Sequence, residues 1–167
     1  MADAFGFPAV VNEKAARVVA FGVLLLAGLA LVTGWLWLTA VLAVGFALRV
    51  AAGPRFSPLG RLASSVVAPR LGAPKLVPGP PKRFAQTVGL VLTSVATGFL
   101  VAGAPVVTSA LLVVLVVFAA LESLVGFCAG CWVFAQLIRA GVVPDEICAA
   151  CADISLRQRD TASAVSP

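Results

Sequence analysis

Four cysteines stand in two matched pairs near the end of the chain, Cys128-Ala-Gly-Cys131 and Cys148-Ala-Ala-Cys151, with sixteen residues between them. A CxxC puts two sulfurs one helical turn apart, so the pair can close a disulfide and exchange it with another thiol. Two such pairs at this separation also fit a tetrahedral four-thiolate zinc site, with Cys128, Cys131, Cys148 and Cys151 as ligands. Gly141 permits a reversal between the pairs, and Pro144 followed by Asp145 and Glu146 suits the start of a second helix. All four sulfurs are therefore expected to converge on one site. The two chemistries use them differently. Exchange needs a thiolate, and desolvation of Cys128 and Cys131 at a membrane edge opposes one, as do Asp145 and Glu146 beside the second pair. Zinc would deprotonate the sulfurs outright. Buried cysteines acting as small hydrophobes are the alternative to both.

Glu122 is the other chemical candidate. It is the only charge deep in an apolar run and precedes Cys128 by six residues, roughly 9 Å along a helix. A carboxylate at that depth is a proton-relay candidate by default. The plainer reading makes it packing glue, hydrogen-bonded to Thr93, Ser94 or Thr97. Gly126 and Gly130 give a small-xxx-small face that admits a neighbouring helix and leaves room for an oligomer. With no His in the chain, His-based triads, His-ligated haem and His-containing zinc sites are excluded. No nucleotide loop or cofactor fingerprint is present, and zinc is the one cofactor the residues suggest.

The elements that must carry these residues are membrane helices. Of 167 residues, 61% are hydrophobic and 11% charged, against roughly 45–50% and 25% in soluble domains. Four apolar runs are each near the ~20 residues that cross a bilayer: Ala15 to Thr33, Trp35 to Ala52, Phe84 to Ala102 and Val106 to Phe127. Short turns at Thr33 to Gly34 and Gly103 to Pro105 join them in two hairpins. The expected fold is all-α, an integral membrane four-helix bundle, with the fourth helix carrying on to Arg139. It divides into an N-terminal segment 1–14, a membrane domain 15–139 with a connecting loop 53–83, and a cysteine-containing helix and tail over 140–167. A signal peptide is the competing reading of the first run, but no small-residue cleavage site is followed by a polar start.

Positive charge sets the expected orientation. Arg55, Arg61, Arg70, Lys75, Lys82 and Arg83 lie in the long connection without an acidic residue, while both short turns are uncharged. That side should be cytoplasmic, together with both termini. The net charge of +5 then reflects topology and contact with the lipid bilayer, not nucleic acid, because the basic stretch lacks interleaved aromatics. Within the connection, Ser57 and Pro58 should open a short interfacial amphipathic helix that Pro69 ends. Gly72, Pro74 and Pro78 to Pro81 should form an extended return strap.

Asn12 to Arg17, the run Gly53-Pro54-Arg55-Phe56-Ser57-Pro58-Leu59-Gly60-Arg61, the run Pro80-Pro81-Lys82-Arg83-Phe84-Ala85-Gln86 and the run Gly126-Phe127-Cys128-Ala129-Gly130-Cys131 together resemble the bacterial, mainly actinobacterial, membrane proteins of domain-of-unknown-function family 4395. The resemblance covers most of Asn12 to Arg139. It implies an inner-membrane protein and, through genomic proximity to thioredoxin-like proteins and rhodanese-type sulfurtransferases, partners that handle thiols or sulfane sulfur. Cys148 and Cys151 belong to only part of that family. The expected function is thus a membrane-embedded thiol–disulfide or sulfur-transfer component working through Cys128 and Cys131. A non-enzymatic scaffold with a structural zinc site and a small-solute transporter are the alternatives.

Overall fold

The computed structural model describes residues 10–53 and 56–142. Helix α1 runs Glu13–Thr33 and α2 runs Leu38–Ala52. Helix α5 runs Gly79–Val101 and α6 runs Pro105–Ala120, prolonged by a π-helical turn at Leu121–Val125. Between these two hairpins, α3 (Pro58–Leu62), a π turn (Ala63–Val67) and α4 (Ala68–Arg70) form the connector, and α7 (Ala129–Arg139) follows α6. Three helical stretches, Glu13–Thr33, Gly79–Val101 and Pro105–Val125, are long and apolar enough to cross a membrane. At 15 residues, α2 is about 22 Å long, shorter than the ~30 Å hydrocarbon core.

Local chemistry accounts for the helix ends. Asn12 caps α1, its Oδ1 accepting from Lys14 N at 3.0 Å, with Glu13 in the first turn where the helix dipole favours an acid. Gly34, at φ +73°, closes α1 in the left-handed conformation. Gly34, Trp35, Leu36 and Trp37 occupy the turn that follows, so α2 begins three residues later than the apolar run suggests. Helix α5 begins at Gly79, five residues before the expected Phe84, because Pro80 and Pro81 sit in a first turn where a missing N–H costs nothing.

The connector departs from expectation in two ways. Pro69 does not end the helix after Pro58; it lies in the first turn of α4, after the π turn has already interrupted the regular hydrogen bonds. The return strap is also paired. Its strand β2 (Leu76–Pro78) lies antiparallel to β1 (Val10–Asn12), with Val11 opposite Val77. Glu13 N donates to Lys75 O at 2.8 Å, and Lys75 Nζ meets Glu13 Oε2 at 2.7 Å. Lys14 Nζ reaches Leu71 O at 2.7 Å. Three-residue strands carry too little alternation to be read from sequence.

The core joins Val23, Ala27 and Ala30 of α1 to Leu38, Leu42 and Phe46 of α2 and Leu112, Leu115 and Ala119 of α6. Helix α5 enters through Gly89, where an added Cβ would collide with the Phe46 ring. Leu25, Val44, Val91 and Val113 point outward and are exposed, which fits a bilayer environment, where tails are as apolar as the core.

Candidate functional site

One end of the helices collects the polar side chains. Arg17 of α1 sends Nη2 to Ser123 O at 3.2 Å and Leu124 O at 3.1 Å, capping the carbonyls left open where α6 ends. It therefore holds protein backbone. Lys82, in the first turns of α5, is buried and places Nζ 2.7 Å from Glu122 Oε1 in the π turn after α6. Glu122 thus answers to an ammonium. The hydroxyls of Thr93 and Thr97 instead donate to Gly89 O and Thr93 O within α5.

The fourth helix does not run through to Arg139. Gly126 takes φ +79°, and its N–H and that of Phe127 both turn back to Leu121 O. The chain is extended at Cys128 (φ −95°, ψ 100°), which becomes the N-cap of α7. Gly126 and Gly130 consequently lie on opposite sides of a break and form no continuous small-residue face. Gly130 has a separate role: a Cβ there would stand 2.7 Å from Cα and Cβ of Ala85, so its absence lets α7 seat on α5. Phe84 and Phe134 complete that contact with ring centroids 5.6 Å apart.

This break changes the chemistry of the pair. As N-cap, the Cys128 sulfur accepts from Cys131 N at 3.3 Å, one of the donors a helix start leaves unpaired. The Cys128 thiol is held below the ordinary thiol range, chiefly because the Cys131 thiol donates to it, with help from Lys82 and the Cys131 N–H. Burial and the Glu122 charge oppose this without reversing it. Cys131 is pushed up, first by giving its proton to that bond and then by burial. Desolvation alone suggests two raised thiols; the thiol–thiol hydrogen bond, helped by the cap N–H, separates them into a nucleophile and a proton-holding neighbour. Both cysteines are free and half-buried.

Cys128, Glu122 and Gln86 also edge a cavity of about 320 Å³ that is otherwise walled by apolar side chains of α1, α2, α5, α6 and α7. Gln86 is itself fixed, its Oε1 accepting from Arg49 Nε at 2.8 Å. Arg49 is buried, donates Nη1 to Ser57 Oγ at 3.2 Å and lies 4.4 Å above the Phe46 ring, while its Nη2 finds no hydrogen-bond partner among the described residues. Spacing gave no sign of Lys82, Arg17 or Arg49 as partners of this site, since each reads as one more topology-setting cation.

The convergence of Cys128 and Cys131 with Cys148 and Cys151 lies outside the described residues, as do both members of the second pair. Among the described residues no three Cys, Asp or Glu side chains gather as a metal would require.

The molecule is thus an all-α protein of membrane-spanning composition, with a CxxC at a helix start beside a buried ion pair. Its chain belongs to the family described as a domain of unknown function (DUF4395), whose model matches residues 11–139. No curated protein and no solved structure matches it.

Proposed function

We propose that this protein is a membrane-embedded thiol–disulfide component, in which Cys128 attacks and Cys131 resolves. The observation that carries the reading is the position of Cys128 as N-cap of α7, with its sulfur accepting from Cys131 N. A thiolate there is stabilised by the helix start and attacks a disulfide sulfur of a partner; Cys131 then attacks the mixed disulfide and releases the partner as a dithiol. The same thiolate would accept a sulfane sulfur as a persulfide, so a rhodanese-type donor and a thioredoxin-like partner are both served by one site. Lys82 steadies the negative sulfur, and Glu122 holds Lys82 and is the group that relays a proton.

The four helices α1, α2, α5 and α6 cross the inner membrane of a bacterial cell, α2 as its shortest span. Lys14, Arg17, Arg49 and Lys82 cluster at the end where α1 and α5 begin and α2 ends, whereas the turns near Gly34 and Gly103 carry no charge. By the positive-inside rule that end, the cysteines and both termini face the cytoplasm.

The test is covalent trapping. Cys131→Ser in lipid nanodiscs is mixed with a thioredoxin-like protein whose single attacking cysteine is activated as an aromatic mixed disulfide. A conjugate through Cys128, absent in Cys128→Ser, is expected. Equal conjugation through either cysteine would contradict the assigned roles.

A further inference from the structure

Cys128 stands at the edge of a largely apolar cavity between the helices. The cavity extends from Cys128, Glu122 and Gln86 to Val23, Phe46, Leu115 and Phe118, between helices of membrane-spanning length. Charged disulfides such as oxidised glutathione would lose their hydration in it. Its volume of about 320 Å³ suits a compact ring with small substituents, at the lower end of ligand pockets of roughly 300–1,000 Å³. The polar edge is matched to a carbonyl. Gln86 uses its oxygen on Arg49, which leaves its amide N–H groups as donors, and Lys82 stands behind Glu122 as a cation. An acyl chain would fill the apolar part and leave this edge unused.

We infer that the cavity takes the head group of a lipid-soluble quinone, which accepts the two electrons of the Cys128–Cys131 dithiol. This rests on the thiol–disulfide reading above and names its electron acceptor. The Cys128 thiolate adds to a ring carbon, forming an S–C bond and placing the electron pair on the quinone oxygens. Cys131 gives up its proton to one oxygen, and its sulfur attacks Cys128. The S–S bond forms as the S–C bond breaks, and a second proton, drawn from water at the Lys82 and Glu122 edge, completes the quinol. One thiolate, one thiol, one quinone and one proton become one disulfide and one quinol.

The test uses the full chain, reduced and in quinone-free nanodiscs under anaerobic conditions, with a short-tailed benzoquinone or naphthoquinone as one oxidant and a water-soluble aromatic disulfide as the other. One quinol per Cys128–Cys131 disulfide is expected. Ala119→Leu narrows the cavity from within, and Val133→Trp narrows it at a position that is 40% exposed and so carries little folding risk. In each, the ratio of quinone rate to soluble-disulfide rate should fall tenfold or more. If the soluble disulfide oxidises the pair and quinone does not, or if both variants keep the wild-type ratio, the quinone site is overturned and the exchange reading stands. If neither oxidant closes the pair, both fall together.

Discussion

Lys82 and Glu122 lie forty residues apart in sequence, and Nζ of the first meets Oε1 of the second at 2.7 Å. The contact ties the start of α5 to the π turn that ends α6, directly before the cysteines. Breaking a buried pair by removing one partner costs about 3–5 kcal/mol, and with 11% and 16% of these side chains still exposed a loss of about 2–3 kcal/mol is expected for Lys82→Met. Glu122→Lys should be worse than Glu122→Gln, because it sets two cations together. Melting temperatures in one detergent check both, and the double variant Lys82→Met with Glu122→Leu should recover most of the loss.

Gly130 makes the second prediction. A side chain there meets the backbone of Ala85, not a flexible side-chain tip, so Gly130→Val should lift α7 from α5 at a cost of about 1–3 kcal/mol. Proteolysis should then cut between α6 and α7 in the variant and spare the wild type. Ala85→Gly in the same chain should restore part of the protection.

The pH dependence of alkylation separates the two cysteines. Cys128 is held below the ordinary thiol range by the Cys131 thiol, and Cys131 is pushed above it. Iodoacetamide should therefore modify Cys128 first, with an inflection below the ordinary thiol range, and Cys131→Ala should move that inflection upward by removing the donor. The depressed value also adds folded-state stability that is present above the unfolded thiol pKa and is lost as pH falls through the folded one. Peptide mass spectrometry after timed quenching reads the rates.

Orientation is checked by labelling. Ser64 is exposed in the connector, and a Ser64→Cys variant in a cysteine-free background should resist an impermeant maleimide in intact cells and react once they are opened. Labelling from outside would put the CxxC on the other face of the membrane.

The apolar helices were legible because length and composition suffice to mark them, although among the described residues only three of the four runs form helices long enough to cross a membrane. The break at Gly126 was not. The apolar run passes through Leu124, Val125 and Phe127 without interruption, and a glycine there reads equally as a packing face or as a left-handed stop. The same ambiguity hid the cap: CxxC spacing is the same whether Cys128 lies inside a helix or starts one, yet only the second gives the sulfur a backbone donor. Lys82 and Arg17 were obscured for a different reason. Positive charge at span ends has a sufficient explanation in topology, and only the return of α6 to that end reveals that Glu122 and the Ser123 and Leu124 carbonyls need them. The runs from Pro80 to Gln86 and from Gly126 to Cys131 are two halves of one contact, which a linear reading keeps apart.

Cys128 and Cys131 are proposed to act as one redox unit. The most direct test equilibrates the full chain in nanodiscs against glutathione buffers of graded poise, followed by acid quenching, differential alkylation and zinc analysis. Cys128 and Cys131 are expected to lose their thiols together in one reversible two-electron transition, without dependence on bound metal. Thiols that oxidise independently, or one zinc per chain that is lost on replacing either cysteine and blocks oxidation while bound, would contradict it.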